Sequence, residues 1–357
     1  MKNLCLLLFF CISTTALPQP IENLIIITTD GLRWQEVFTG MDTAIANDSR
    51  YNQDDRSGIY EKYWSDNLKE RRKLLMPFFW STVAAQGTVF GNRGYDNLVN
   101  TANPYWFSYP GYSELFTGYV DTLINTNNYK NNPNTTLLDF LQQQPAFTNR
   151  IAGFGAWYAF DRILNEPRAG FPVICGFDTV ASSSTEQQLI NKMLKESYRH
   201  WDDDECQDVF THHSAMQYLK ERSPKVLFVG YGETDEWAHA GEYKDYLNAA
   251  HQVDDWIRQL WEYTSQHPQY KNKTAFLITV DHGRGDEVKK QWTSHNASIA
   301  GADETWFAII APGIKGKGEL RTAGKCYQEQ LAQTMATLLG LTFTAEHPVA
   351  NGIPLAK

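Results

Sequence analysis

Three apolar runs stand out along the chain, and each ends in an acidic turn. Leu24-Ile25-Ile26-Ile27-Thr28-Thr29 runs into Asp30-Gly31, and Val226-Leu227-Phe228-Val229-Gly230-Tyr231 runs into Gly232-Glu233-Thr234-Asp235. Ala275-Phe276-Leu277-Ile278-Thr279-Val280 runs into Asp281-His282-Gly283. Short continuous runs rich in β-branched and aromatic residues predict strands buried on both faces of a parallel sheet. Thr88 to Phe90, Arg150 to Trp157 and Trp306 to Ala311 predict further strands. Helical periodicity covers Asn67 to Gln86, with Pro77 opening the helix proper, then Thr136 to Gln144, Tyr243 to Ser265 and Gln328 to Leu339. Met41 to Glu61 is polar and predicts a surface loop or insertion. Strands alternate with helices, and neither an internal repeat nor a linker interrupts them. The expected fold is α/β, with a doubly wound, mostly parallel central sheet, helices on both faces and surface insertions, as one domain over residues 17–357.

In an open sheet of this kind, ligands gather beyond the carboxyl ends of the strands. That edge would collect Asp30, Asp235, Asp281 and His282. His239 follows Asp235 by four residues, a spacing that sets both side chains on one face of a helical turn, and His295 returns shortly after His282. Three carboxylates and three imidazoles suffice for two transition-metal sites with mixed oxygen and nitrogen ligands. Any one Asp-Gly is an ordinary turn. Six suitable residues at three strand ends indicate a metalloenzyme. Ser108, just before Pro110 and a predicted helix, would place its hydroxyl near several free backbone N–H groups, a location suited to a nucleophile. Taken alone, it reads as a helix N-cap.

Charge narrows the partner. Lys and Arg number 32 against 41 Asp and Glu, a net charge of −9, and no basic stripe could follow a phosphate backbone, which argues against a nucleic-acid partner. A small anionic substrate would need local positive charge, which bound cations supply. Residues 1–16, with Lys2, an apolar run from Leu4 to Ile12 and small residues ending at Ala16, have the pattern of a cleaved secretory signal. The run is too short to span a bilayer, and nothing later resembles a transmembrane anchor, so a secreted or periplasmic protein is expected. Cys175, Cys206 and Cys326 fit no metal pattern and read as structural, with Cys175 and Cys206 candidates for a disulfide. The acidic cluster from Trp201 to Glu205 lacks the glycine and final glutamate of a calcium loop and reads as a solvated face, as does His212-His213. Arg33, Asn103, Trp157 and Arg284 lie near the candidate site in sequence and read as surface or packing.

These residues resemble the alkaline phosphatase superfamily, which includes nucleotide pyrophosphatase/phosphodiesterases, sulfatases and cofactor-independent phosphoglycerate mutases. Asp30-Gly31 resembles the first metal aspartate, Ser108-x-Pro110 with Thr117-Gly118 the nucleophile segment, and Asp235-x-x-x-His239 and Asp281-His282-Gly283 the later metal motifs. The resemblance implies that Asp235, His239 and His295 hold one divalent ion and Asp30, Asp281 and His282 the other, with Ser108 bridging or approaching the second. Zinc is the expected metal, manganese the alternative. The activity implied is hydrolysis of small phosphate esters, mono- or diesters, through a phosphoserine. Sulfuric ester hydrolysis, phosphomutation, or an inactive secreted binding protein on the same fold are the other readings. Tyr112 stands where sulfatases carry the arginine of their modification motif, and the short gap from His282 to His295 is closer to the mutase branch.

Overall fold

The computed structural model describes residues 20–52, 56–201 and 203–356, so the predicted leader lies outside the described residues. Among the described residues, eleven strands form two sheets. They are β1 (Asn23–Thr29), β2 (Thr88–Phe90), β3 (Asn97–Asn100), β4 (Ile151–Gly155), β5 (Val173–Cys175), β6 (Val226–Tyr231), β7 (Thr274–Thr279), β8 (Glu304–Thr305), β9 (Phe307–Ile310), β10 (Gly318–Glu319) and β11 (Gly324–Tyr327). The large sheet runs β10-β2-β9-β7-β1-β6-β4-β5, and the small one β11-β3-β8. In the large sheet only β9 is antiparallel to its neighbours.

β1 is central, and its alternation explains the two layers of helices. Ile25 and Ile27 enter one apolar cluster and Leu24 and Ile26 another, all fully buried. A strand buried on both faces has no polar side to reveal its period, which is why it reads as a continuous apolar run. The Tyr243–Gln266 helix covers the first face, and the Ser108–Thr117 and Gln330–Leu338 helices cover the second. Register then levels the chemistry: Thr28 of β1 pairs with Gly230 of β6 and Thr279 of β7, so the acidic turns after these three adjacent strands meet at one height.

Four expectations need correction. The polar stretch from Met41 to Glu61 is not all loop, since Thr43–Ala46 and Arg56–Tyr63 are helical. The helix proper does open at Pro77, where both carboxylate oxygens of Asp254 accept the Phe78 and Phe79 N–H groups, each at 2.7 Å, but the stretch before it is a separate helix, Leu68–Leu75, that ends at Met76. His212 is fully buried rather than solvated, its Nδ1 2.9 Å from the Tyr231 hydroxyl and its Nε2 3.2 Å from Gln259 Oε1. Cys175 and Cys206 are free thiols and form no disulfide. Cys206 lies 3.4 Å from the Thr211 hydroxyl, and Cys175 donates to the Tyr158 carbonyl. No helix among the described residues is long and apolar enough to cross a membrane.

Candidate active site

The residues after β7, β1 and β6 converge on the His282 ring. Its Nε2 lies 3.2 Å from Asp30 Oδ1, 3.4 Å from Asp281 Oδ2 and 3.2 Å from Ser108 Oγ. His282 Nδ1 sits 2.9 Å from the Gly283 carbonyl, which can only accept, so in the neutral ring Nδ1 carries the proton and Nε2 is the nitrogen left to face the centre. The carboxylates are held asymmetrically. Asp30 Oδ2 accepts from the Tyr112 hydroxyl at 3.1 Å, and Asp281 Oδ1 from the Gly31 N–H at 3.2 Å. The other oxygens, Asp30 Oδ1 and Asp281 Oδ2, are buried and have no hydrogen-bond partner. Donor atoms of Asp30, Asp281 and His282 lie within 4.8 Å of one another, close enough to share one cation with bonds of about 2 Å. The residues fit a metal.

A second cluster adjoins the first. On the Glu233–Ala240 helix, Asp235 Oδ2 lies 3.1 Å from His239 Nε2, and His239 Nε2 lies 2.9 Å from His295 Nε2. Asp235 Oδ1 is 3.5 Å from His295 Nε2 and 3.8 Å from His282 Nε2, and the His282 and His295 rings stack at 3.9 Å. Asp235, His282 and His295 also form a group of donors close enough to share an ion. His239 Nε2 is nearer than His282 Nε2 to Asp235, at 3.1 against 3.8 Å, so His239 and His282 flank the Asp235 carboxylate from opposite sets. All six ligand candidates and Ser108 thus share one site.

Ser108 is the first helical residue rather than the cap, since Phe107 occupies the N-cap in extended conformation. The helix start offers fewer free N–H groups than its sequence suggests. Pro110 has none, Tyr109 N–H is held by Asn127 Oδ1 at 2.9 Å, and Gly111 N–H by the Phe107 carbonyl. Positive charge for an oxyanion must therefore come mainly from elsewhere. Gly111 lets this helix touch the end of β7, since a Cβ there would sit 2.5 Å from the Asp281 carbonyl oxygen. Gly111→Ala should push Ser108 off the His282 centre, and a displacement near 1 Å costs about 10²-fold in kcat/KM. Steady-state kinetics alongside a thermal melt will separate this from unfolding.

The electrostatics follow from burying three carboxylates together. Burial, then Asp235, raises Asp30, and burial, then Asp30, holds Asp281 well above the usual carboxylate range. Burial opposes ionisation of Asp235 too, but Arg284, His239 and His295 outweigh it and hold that group well below its ordinary value. For His282, burial works against the charge, yet Asp281, Asp30 and Asp235 lift it to about 9. His295 is driven down to about 3 by burial and by His282. Without a cation these carboxylates are relieved by protons and by Arg284, and a bound cation would take the place of the protons.

Three neighbours were not assigned a role by the sequence. Tyr112 lies one helical turn beyond Ser108 and orients Asp30, a role its spacing could have suggested. Arg284 follows the Asp-His-Gly motif and contacts Asp235. Trp106, at φ 57°, turns its carbonyl to within 3.4 Å of His295 Nδ1. Behind them, buried Glu114 accepts the N–H groups of Ala102, Asn103 and Glu329, and burial pushes it from 4.5 to about 7 despite those donors. Its folded pKa exceeds the unfolded one, so its contribution is fully present below pH 4.5 and is lost as pH rises through about 7, at a cost of about 3 kcal/mol. Denaturant melts across that window should show this decline, and Glu114→Gln should flatten it.

Comparison with known proteins bears on the family and the fold. Residues 197–342 match the family model described as the metalloenzyme superfamily. No curated protein sequence matches. Among solved structures, a variant of the alkaline phosphatase PafA is similar with a TM-score of 0.60 at 11% identity, covering 95% of this chain and 99% of that one. The phosphonate monoester hydrolase of Agrobacterium radiobacter is similar at 0.58 and 12% identity, covering 94% and 76%. BT1596, a 2-O GAG sulfatase, is similar at 0.55 and 15% identity, covering 92% and 73%. The segment 197–342 thus carries the metalloenzyme-superfamily match, and the described chain as a whole shares its fold with these alkaline phosphatase, phosphonate monoester hydrolase and sulfatase structures.

Proposed function

We propose that the protein is an exported, metal-dependent hydrolase of small phosphate esters, with Ser108 as nucleophile. The observation that carries this reading is the convergence of Ser108 Oγ, Asp30 Oδ1 and Asp281 Oδ2 on His282 Nε2. Asp30, Asp281 and His282 would hold one divalent ion with Ser108 beside it, and Asp235, His239 and His295 a second. When bound, such a pair supplies Lewis-acid charge that favours the serine alkoxide and offsets charge on the phosphoryl and leaving oxygens. Ser108 Oγ passes its proton to water and attacks phosphorus, the ester P–O bond breaks, and the alcohol departs with a proton taken back from water. Water then cleaves the serine–phosphorus ester, its proton returning to Ser108 Oγ, and releases inorganic phosphate from a monoester or a phosphomonoester from a diester. Tyr112 and the Gly31 N–H keep the two carboxylates turned toward the centre throughout.

A sulfate ester is the second reading, because sulfatases share the fold. Against it, the residue at the nucleophile position is serine, and Tyr112 makes a buried bond to Asp30 instead of serving a modification motif. Activity of the purified, zinc- or manganese-loaded protein on an aryl phosphomonoester, an aryl phosphodiester and an aryl sulfate decides the matter. A phosphate ester should turn over at least about 100-fold faster than the sulfate. Sulfate as the best substrate, or no turnover of any with metal bound, would refute the proposal.

A further inference from the structure

The side chain of Arg284 is fully buried, and its guanidinium reaches three partners, none of them positioned as a substrate. Nη1 pairs with Asp235 Oδ1, Nε donates to the Trp292 carbonyl at 2.8 Å, and Nη2 to the Thr293 carbonyl at 2.8 Å. Trp292 is itself buried against the rings of Tyr51, Tyr243 and Tyr246. One planar group therefore joins the helix that bears Asp235 and His239 to the end of the loop that delivers His295, two residues beyond Thr293. Gly31 makes room for this junction. It has φ +58°, and a Cβ there would meet Asp235 Oδ1 at 2.6 Å and Arg284 Nη1 at 2.7 Å.

We propose that Arg284 is a positioning residue for the second metal site: by pairing with Asp235 Oδ1, the oxygen 3.5 Å from His295 Nε2, and by holding two loop carbonyls, it leaves Oδ2 to His239 and fixes both the Asp235 carboxylate and His295 over the site. The inference rests on the metal-centre reading above. Arginine suits the task because its planar fork makes several hydrogen bonds at fixed angles while staying charged, which a lysine ammonium cannot reproduce. Groups that orient metal ligands without touching the ion commonly change affinity by about 10- to 100-fold. Only the site that Asp235 serves should feel the loss.

The test uses the full mature chain stripped with a chelator and titrated with Zn²⁺ against a chromogenic competitor, for wild type, Arg284→Met and Arg284→Lys. Wild type should bind two ions. Arg284→Met should weaken one of them by at least about tenfold and leave the other within about twofold. Arg284→Lys should fall between, because its ammonium can reach Asp235 but not both carbonyls, and it keeps the test valid if the methionine variant does not fold. Co²⁺ loading adds a signature that a merely structural role would not move. With Oδ1 released, Asp235 can chelate through both oxygens, and the visible absorption of the weakened site should drop in intensity as its coordination number rises. Two unchanged affinities in either soluble variant, or equal weakening of both sites, would overturn the role of Arg284. A wild-type protein that binds no cation tightly would instead sink the metal-centre reading itself.

Discussion

Ser108→Ala is expected to lower kcat/KM on the best phosphate ester by at least about 10³-fold while the protein still folds and still binds both cations. The expectation follows from where the hydroxyl sits. Ser108 is 5% exposed at the first position of its helix, with Oγ 3.2 Å from His282 Nε2, and its removal leaves the backbone hydrogen bonds of the helix untouched. Nucleophile deletions in enzymes that form covalent intermediates cost between about 10³ and 10⁶, because every later step depends on the bond that no longer forms. Rapid quenching of wild type with labelled ester should trap label on the protein, and the alanine variant should trap none. A variant that retains turnover within about tenfold of wild type would mean that water or another side chain attacks directly. An unreactive wild type whose affinity for a substrate analogue is unchanged by the substitution would favour a binding protein.

Asp281→Asn should produce the second large effect, with a change of sign built into it. Asp281 is fully buried within reach of Asp30, Asp235 and His282, and one of its oxygens is bare. In a chelator, removing one of three crowded carboxylates relieves repulsion and burial cost, so the variant should be more stable than wild type by about 1–2 kcal/mol. With zinc the order should reverse, because the variant loses a charged ligand that a divalent ion binds strongly. Activity should fall by about 10³-fold and zinc content from two ions to one. Paired melts in chelator and in zinc check the crossing, and a variant that is destabilised equally in both would count against a cation at this position.

Much of this architecture can be read in the sequence because β1, β6 and β7 are buried on both faces. Their apolar runs stop where chemistry starts, so strand ends and acidic turns are visible together. Other features depend on partners far along the chain. Pro77 marks a helix start but not that Asp254 caps it, and Tyr112 meets Asp30 across 82 positions. Arg284 meets Asp235 across 49. The small sheet was missed because β3, β8 and β11 hold four, two and four residues, too few to show a period. His212 lay in a polar stretch, and only the fold shows that the Tyr231 hydroxyl and Gln259 satisfy it in the interior. The serine was found by its position before a proline, yet that proline and Asn127 also remove N–H groups that the sequence seemed to offer.

The central claim is that side chains from three neighbouring strand ends enclose two cations beside one serine hydroxyl. Anomalous scattering at the zinc edge from crystals of the metal-loaded protein tests it most directly. Two peaks are expected, one bounded by Asp30, Asp281, His282 and Ser108 Oγ and the other by Asp235, His239 and His295. Absence of a peak within that ring of residues, or zinc bound only elsewhere on the chain, would contradict the account.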